Sequence, residues 1–559
     1  MLSSELRKME KGNSLFELHV RKLSVPVCKS FVNKKGQVAP VTFAPESKKL
    51  TTRDSKEVAA KFPKVAALCQ NKLMSARPGH SKAVQGKRVA VLFSGGPAAG
   101  GHNVIAGLRK VLGKGNQLFG VKAGPKGLLE GNLFEITEEA VQRITNTGGF
   151  DFLGSDRTKI KTSEQFEAVK KTCRDNRLDA IIIVGGDDSN TNAVFLAEYL
   201  FDEGVQVIGV PKTIDGDLQA GKLLPISFGF DTATKIYAEM VGNILQDTPS
   251  SRKYWHFIKL MGRAASHVAL EVSLQTRPAM TLISEEVAEK KSSLREIVDE
   301  IAQVVVMRAQ KKINHGVVVV PEGLIEFIPE MTGMIVALND VMGSRQDLGT
   351  LSLAQRRELI TAKLDAANLA LYNSLPGFIQ DMLLLDRDSH GNLPVSQIPT
   401  ERLLIEMVAR RVKELDPKVK FSTNNHFFGY EGRCGAPSLF DAAFTYNLGL
   451  TAGSLVLDGR TGYMAAVTDF HRGGRVLAIP LMGLLNIERR HGKEEIVIEK
   501  ALVRTNSPAF RFFAGRRRAW AEADCFTSPG PRQFWGPTSK QVPILVALNQ
   551  GYPDLKFTI

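Results

Sequence analysis

The sequence predicts an α/β protein with two doubly wound, Rossmann-like parallel-sheet domains. Apolar runs rich in β-branched residues, such as Ile181–Val184 and Val205–Val210, are typical of buried parallel strands. From about residue 86 to residue 245, such runs alternate with helical patterns. Glycine and acidic residues follow the strand ends, where open α/β sheets bind their ligands. The strand ends are therefore the candidate site.

The 559-residue chain is too long for a single core, and four segments are predicted along it. They are an N-terminal arm (1–85), a first α/β domain (86–245), a second α/β domain (246–510) with a helical insertion at about 331–420, and a C-terminal segment (511–559). Strands are predicted at Arg88–Phe93, His256–Leu260 and Val317–Val320, and helices at Ser293–Gln310, Leu353–Tyr372 and Thr400–Leu415.

The first predicted strand is followed by the glycine turn Gly95-Gly96, which leads toward a helix whose amino end can hold phosphate. This run lacks the Lys-Ser/Thr of a Walker P-loop, and its glycine spacing fits no dinucleotide fingerprint. His102 beside it is expected to bond to backbone at the helix start rather than to contact a ligand.

The run GGDD begins directly after the Ile181–Val184 strand. Gly185 and Gly186 let backbone N–H groups approach an anion, and Asp187 offers a hard oxygen ligand to Mg²⁺. Asp188 places a second negative charge where a third phosphate of a nucleotide would lie, which favours a two-phosphate donor such as inorganic pyrophosphate. An acidic turn in which an aspartate caps the next helix is the alternative interpretation of these four residues.

The run PKTIDGD follows the next strand. Lys212 offers a positive charge to a phosphate, Thr213 a hydroxyl, and Asp215 and Asp217 two carboxylates on a glycine-hinged turn. In phosphoryl transfer an aspartate often accepts the proton of the attacking hydroxyl, which makes Asp215 the candidate base. A proline-initiated loop without function would have the same composition.

Several motifs in register resemble the pyrophosphate-dependent phosphofructokinases of the long-chain type. Besides the two runs above, they are SGGPAAGGHNVI (94–105), TGGFDFLGSDR (147–157), KYWHFIKLMGRAASH (253–267), PEGLIEFIPE (321–330) and GYEGR (429–433). The resemblance covers about residue 85 to the C-terminus and implies the phosphofructokinase fold. It also implies reversible transfer from pyrophosphate to the 1-hydroxyl of fructose 6-phosphate, a step of glycolysis and gluconeogenesis.

The resemblance also implies roles for individual residues. Pyrophosphate would lie over Gly95 and Gly96, with Mg²⁺ on Asp187 and with Asp215, Asp188 and Lys212 as catalytic residues. The residues expected to bind fructose 6-phosphate are Thr213, Ile214, Asp215, Met261, Gly262, Arg263, Glu322, Tyr430, Glu431, Gly432 and Arg433. Lys253 and Tyr254 would reach across from a partner subunit, which implies a homodimer or larger homo-oligomer with a shared active site.

Three other functions stay open at this stage. An ATP-dependent phosphofructokinase would share the fold, but glycine is expected in place of Asp188 and Lys212. A regulatory subunit is expected to have lost motif residues, whereas Asp187, Asp215, Asp217 and Arg263 are all present. A polyanion-binding protein would leave the carboxylates unexplained. Sedoheptulose 7-phosphate is also an open alternative as the acceptor.

Composition limits the partners and the location. The net charge is +15, but the basic residues are dispersed except at Arg516–Arg518, so anionic substrates are favoured over nucleic acid. Five scattered cysteines without a CxxC pair argue against a zinc site or a disulfide framework and favour the cytoplasm. The N-terminus is too polar for a signal segment, and no apolar run approaches the roughly 20 residues of a membrane span.

Overall fold

The computed structural model describes residues 14–80, 84–343, 347, 350–385, 397–490 and 493–552. The chain forms two compact units, each built from separate stretches of sequence. Unit 1 comprises Met1–Ala233, Glu431–Ala501 and Arg532–Val542, and unit 2 comprises Thr234–Tyr430, Leu502–Pro531 and Pro543–Ile559. The division into four segments stays a prediction. The expectation about a signal segment concerns residues 1–13, which lie outside the described residues.

Several of the sequence motifs described above follow the ends of strands. In chain order the strands of the described residues are β1 Val41–Lys49, β2 Lys72–His80, β3 Arg88–Phe93, β4 Gln117–Val121, β5 Leu133–Glu135, β6 Ala180–Gly185, β7 Gln206–Thr213, β8 Phe228–Gly229, β9 Tyr254–Leu260, β10 Met280–Thr281, β11 Gly316–Pro321, β12 Ser422–Phe428, β13 Tyr463–Thr468, β14 Arg475–Pro480, β15 Leu485–Arg490 and β16 Lys493–Ile498. The predicted strands at Arg88–Phe93, His256–Leu260 and Val317–Val320 are confirmed.

Unit 1 contains a large mixed sheet with a parallel centre. Its strand order is β1-β2-β14-β13-β7-β6-β3-β4-β5, and β8 pairs with β7. Strand β6 lies between β3 and β7, parallel to both, with Ile182 beside Val91 and Ile208. All six residues of β6 are buried, as a strand covered on both faces requires. The register brings the carboxyl ends of β3, β6 and β7 to one edge of the sheet.

Strand β7 is longer than the sequence predicts. The strand was expected to end at Val210, but it continues through Pro211 and Lys212 to Thr213. The reason is that Lys212 and Thr213 pair with β8. This strand comes later in the chain, so the sequence around Val210 does not indicate the pairing. The first half of the PKTIDGD run is therefore strand, and only its acidic half is a turn.

Helices surround the sheets of both units. They are α1 Leu15–Val20, α2 Ser55–Lys61, α3 Pro63–Cys69, α4 Gly101–Leu112, α5 Gly124–Glu130, α6 Glu138–Ile144, α7 Ser163–Asp175, α8 Asp187–Tyr199, α9 Phe230–Ser251, α10 His267–Thr276, α11 Ser284–Lys290, α12 Leu294–Gln310, α13 Pro329–Gly343, α14 Leu353–Lys363, α15 Ala366–Ser374, α16 Gly377–Leu383, α17 Thr400–Leu415, α18 Tyr430–Arg433, α19 Leu439–Leu457, α20 Pro508–Ala514, α21 Arg517–Glu522 and α22 Ile544–Gln550.

Two of the three predicted helices are confirmed, as α12 and α17. The single helix expected at Leu353–Tyr372 is wrong, because the structure has two helices there, α14 and α15. Asp365 lies between them with extended backbone, and its carboxylate accepts a hydrogen bond from the N–H of Asn368. A side chain that caps a new helix in this way ends the preceding one.

Unit 2 is built on a smaller sheet with the order β10-β11-β9-β12, in which all strands are parallel. Its core contains Trp255 and Phe257 of β9 together with Val318 and Val320 of β11. Side chains of α13 to α17, the helices of the predicted insertion, belong to the same core, among them Leu403 of α17. These helices are therefore an integral part of unit 2. Among the described residues, no helix is long and apolar enough to cross a membrane.

Candidate active site

The glycine turn after β3 is held by backbone hydrogen bonds. The Ser94 N–H donates to the Val184 carbonyl at 2.8 Å, and the Gly95 N–H donates to the Asp156 carbonyl at 2.9 Å. Gly95 has a φ of +84°, a conformation that glycine adopts without the steric cost of a Cβ. The turn is thus fixed against β6 on one side and against the loop around Asp156 on the other.

Two cations flank this turn. A Cβ atom built on Gly95 would lie 3.5 Å from Lys212 Nζ, and one built on Gly96 would lie 3.7 Å from Arg157 Nη2. The structure therefore brings together the predicted residues Gly95, Gly96 and Lys212. Arg157 was not predicted as a site residue, although it ends the motif at 147–157. A glycine turn without side chains, with an ammonium and a guanidinium beside it, forms a suitable place for phosphate.

Lys212 is buried, with 7% of its surface exposed. Burial lowers the pKa of its ammonium group to about 8, while the carboxylates of Asp215, Asp217 and Asp187 oppose this effect. Its Nζ also lies 5.9 Å from the centre of the Phe150 ring. The positive charge is therefore held in place by the anions around it, in surroundings that contain little water, where electrostatic interactions with a bound phosphate are strong.

Asp187 is the first residue of α8 and is partly buried. Burial raises the pKa of its carboxyl group, Lys500 opposes this shift, and the neighbouring charges of Asp188 and Asp217 add to it. A divalent cation would relieve this unfavourable burial of negative charge. Among the described residues, no group of three His, Cys, Asp or Glu side chains is arranged to hold a metal.

The two glycines before Asp187 differ in what surrounds them. A Cβ on Gly185 would lie 2.4 Å from the Cβ of Ser189, whereas a Cβ on Gly186 would meet only the Lys212 carbonyl, at 3.5 Å. Gly185 is therefore required by the packing of α8 rather than by the approach of an anion. Ser189 in turn donates a hydrogen bond to the hydroxyl of Ser94 at 2.8 Å, so α8 is tied to the turn after β3.

Asp188 points toward solvent, with 61% of its side chain exposed, and it forms an ion pair with Lys159 at 3.5 Å. Lys159 also lies 3.8 Å from Glu495 on β16. Lys159 was not predicted from the sequence.

The acidic turn after β7 contains Asp215 and Asp217. The Asp215 N–H donates to the Thr213 hydroxyl at 3.1 Å, which closes the turn. Asp217 is buried, and its carboxylate lies 3.9 Å from Lys500 Nζ. The N–H of Ala501 donates to the Asp217 carbonyl at 2.7 Å, so the segment after β16 is bound to this turn. Lys500, like Arg157 and Lys159, is a cation that the sequence did not indicate.

Three of the residues predicted for the sugar phosphate meet at strand ends in unit 2. Met261 and Gly262 follow β9, and Glu322 follows the neighbouring strand β11. The Gly262 N–H donates to Glu322 Oε2 at 2.9 Å. Glu322 is 5% exposed, and burial raises the pKa of its carboxyl group, opposed by the Gly262 hydrogen bond and by the charges of Lys259 and Arg263. Arg263 itself is exposed.

The remaining predicted residues are not all close together. Lys253 and Tyr254 lie at the start of β9, about 25 Å along the strand from Met261, which follows its last residue. Lys253 Nζ lies 4.9 Å from the Tyr254 ring centre. Tyr430 is 70% exposed. Glu431, Gly432 and Arg433 complete the short helix α18. The side chain of Ile214 is buried and faces Gly229, so only its backbone is available to a ligand.

The expectation for His102 is confirmed. Its ring is buried, with Nδ1 2.6 Å from the Thr147 carbonyl, and its Nε2 accepts a hydrogen bond from the Phe152 N–H at 3.3 Å. Burial lowers the pKa of the imidazole, in agreement with a neutral ring that donates at one nitrogen and accepts at the other. His102 therefore holds the loop at 147–152 through hydrogen bonds to its backbone.

Comparison with known proteins gives one family and many relatives. The family model described as phosphofructokinase matches residues 88–456. A pyrophosphate–fructose 6-phosphate 1-phosphotransferase of Porphyromonas gingivalis is 46% identical over 502 residues, covering 87% of this chain and 90% of the relative. The protein with that description from Treponema pallidum is 49% identical, with 81% of each chain covered. The beta subunit of the same description from Solanum tuberosum is 44% identical, covering 83% and 82%.

Proposed function

Because the chain belongs to the phosphofructokinase family, we propose that it is a phosphotransferase using inorganic pyrophosphate as the donor and fructose 6-phosphate as the acceptor. The products are fructose 1,6-bisphosphate and phosphate, and the reaction runs in both directions. The observation that carries the proposal is the buried ammonium of Lys212 beside Gly95, with Arg157 beside Gly96 and with Asp187 and Asp188 at the start of α8.

Pyrophosphate is assigned to the turn after β3. Its oxygens lie against Gly95 and Gly96, where the absence of side chains leaves room for them, and are bound by the cations of Lys212 and Arg157, which neutralise the charge of the leaving phosphate. Asp187 is the residue that would hold Mg²⁺, since this ion is commonly bound by one or two carboxylates and by substrate phosphates. When bound, Mg²⁺ supplies further neutralisation of the phosphate charge.

The acceptor hydroxyl is assigned to Asp215. The 1-hydroxyl of fructose 6-phosphate attacks the phosphorus, the bridging P–O bond breaks, phosphate leaves, and the hydroxyl proton passes to the Asp215 carboxylate. A sugar hydroxyl is a very weak acid, so Asp215 orients it and accepts the proton late, as the new bond forms. Glu322, Arg263 and Met261 are assigned to the sugar and its 6-phosphate.

Asp188 and Lys212 are proposed to determine the preference for pyrophosphate over a nucleotide as the donor. The Asp188 carboxylate opposes the extra phosphate of a nucleotide, and Lys212 supplies a charge suited to the smaller donor. We further propose a homo-oligomer in the cytoplasm. The distance of Lys253 and Tyr254 from the end of β9 supports their contribution to the site of a partner subunit.

Steady-state assays of the purified protein with fructose 6-phosphate and Mg²⁺ test the proposal, with pyrophosphate and ATP compared as donors. The expected result is turnover with pyrophosphate and little or none with ATP, and formation of pyrophosphate from fructose 1,6-bisphosphate and phosphate in the reverse direction. Turnover with ATP alone would assign the chain to the ATP-dependent class, and no turnover with either donor would favour a regulatory subunit.

A further inference from the structure

A buried lysine precedes the residues assigned to the sugar phosphate in unit 2, on the same strand β9. Lys259 of β9 is 3% exposed. Its ammonium donates to the Ile398 carbonyl at 3.0 Å, lies 3.5 Å from Glu401 Oε2, and lies 4.6 Å from the centre of the Phe427 ring. Ile398 and Glu401 belong to the segment that leads into α17 of the helical insertion and to the first turn of that helix. The lysine therefore connects the insertion to the central strands of the sheet.

A buried ion pair of this kind is costly to maintain. Both side chains are almost fully removed from water, with 4% of Lys259 and 5% of Glu401 exposed. Among the described residues Glu401 Oε2 has no hydrogen-bond partner, and its ion pair with the ammonium opposes the cost of its burial. Such pairs add little to stability compared with apolar residues of similar size. A role in the site accounts better for the presence of the pair.

The position of Lys259 in the sheet indicates what that role is. Lys259 pairs with Val320 of β11 on one side and with Phe427 of β12 on the other. One residue further along β9, the Leu260 carbonyl accepts from the Glu322 N–H at 3.0 Å. The Met261 N–H then donates to the Phe428 carbonyl, also at 3.0 Å. Lys259 thus lies at the penultimate level of the sheet, one residue before the ends of the three strands that lead into the sugar-phosphate motifs.

We propose that Lys259 is a positioning residue for fructose 6-phosphate, through which the helical insertion fixes the strand ends that present Met261, Gly262 and Glu322. The inference rests on the proposed function, because it takes fructose 6-phosphate to be the acceptor. The charge of Lys259 contributes as well. Lys259 and Arg263 are the cations that act on Glu322 and oppose the effect of its burial, so that Glu322 can accept hydrogen bonds as a carboxylate.

The test is the kinetics of Lys259→Met, with Lys413→Met as the matched control on the exposed face of α17. The KM for fructose 6-phosphate is expected to rise about tenfold, as the loss of a charged hydrogen bond that supports a site would cause. The KM for pyrophosphate is expected to stay within about twofold. The acid limb of the pH profile for fructose 6-phosphate is expected to move to higher pH, because Glu322 loses a cation that favours its ionised form.

The double variant Lys259→Met with Glu401→Leu separates positioning from stability. It removes both buried charges, so its melting temperature is expected to recover relative to Lys259→Met, while the KM for fructose 6-phosphate stays raised. Recovery of KM together with melting temperature would overturn the inference, as would an equal change in KM for both substrates.

Calorimetric titration with fructose 6-phosphate distinguishes the proposed function from the role of Lys259. Failure of the unaltered protein to bind fructose 6-phosphate overturns both, whereas normal binding by Lys259→Met overturns only the role of Lys259.

Discussion

The residues assigned to the donor in unit 1 and those assigned to the acceptor in unit 2 are built on different principles. The turn after β3 has the cations of Arg157 and Lys212 beside it. The carboxylates of Asp187 and Asp217 act on Lys212, and Asp217 also lies near a third cation, Lys500. At the end of β9, neighbouring parallel strands present backbone groups and one buried carboxylate, Glu322. The donor residues depend on charge balance, whereas the acceptor residues depend on the geometry of strand ends. Substitutions that alter charge should therefore act most strongly in unit 1.

The largest effect is expected from Asp215→Ser. Loss of the base should lower kcat by roughly 10²–10⁴-fold, because no other group is assigned to the proton, while KM for either substrate changes little. Asp175→Ser, on the exposed end of α7, is the matched control. Steady-state kinetics measures the effect, and a variant that keeps most of its turnover would remove Asp215 from the mechanism.

Lys212→Met should lower kcat/KM for pyrophosphate by about 10²-fold, through loss of a charge aimed at the leaving phosphate. The pH profile provides a second readout. The pKa of Lys212 is lowered to about 8, so its positive charge is present below that pH and is lost above it. In the unaltered protein kcat/KM for pyrophosphate should therefore fall as pH rises through 8. This alkaline limb should be missing in Lys212→Met, and an unchanged limb would show that another group titrates.

In unit 2 the corresponding change, Glu322→Gln, should be milder. The amide keeps the size of the side chain and an oxygen that can accept from the Gly262 N–H, but it loses the charge. We expect the KM for fructose 6-phosphate to rise about tenfold and the KM for pyrophosphate to stay the same. Comparable losses for both substrates would contradict the separation of donor and acceptor residues.

The smallest effect on activity is expected from Asp441→Asn, which probes stability in unit 1. Asp441 is fully buried, and burial followed by the charge of Asp231 raises its pKa from 3.8 to about 7. A folded-state pKa above the unfolded value stabilises the protein at low pH, and this contribution is lost as pH rises through 7. The melting temperature of the unaltered protein should therefore fall as pH rises from about 4 to about 7, by an amount corresponding to roughly 1.4 kcal/mol per pH unit at most. Asp441→Asn should reduce that slope, and an identical slope would contradict the assignment.

Much of the fold could be predicted because local sequence determines it. The runs at Ile181–Val184 and Val317–Val320 are apolar and β-branched, and both form buried parallel strands. The errors arose where a distant segment or a single cap decides the structure. Strand β7 extends to Thr213 because β8 pairs with it, and Asp365 divides a predicted helix into α14 and α15.

The site residues show the same distinction. Gly95, Asp187 and Asp215 follow strands, and they were predicted from that position together with their chemistry and the family resemblance. Lys500 lies beyond β16, and no local pattern connects it to the turn at Asp217 that it contacts. Arg157 ends the motif at 147–157, but its place beside Gly96 depends on the hydrogen bond between Gly95 and Asp156. Charges brought together by tertiary structure cannot be read from spacing.

The most direct test of the account is the donor preference of Asp188→Gly. The measurement is the ratio of kcat/KM for pyrophosphate to kcat/KM for ATP, at saturating fructose 6-phosphate, in the unaltered protein and in the variant. If the Asp188 carboxylate excludes nucleotides, the unaltered protein strongly favours pyrophosphate, and the variant loses pyrophosphate activity and shifts its ratio toward ATP. An unchanged ratio, with pyrophosphate used as well as before, would contradict the role assigned to this carboxylate.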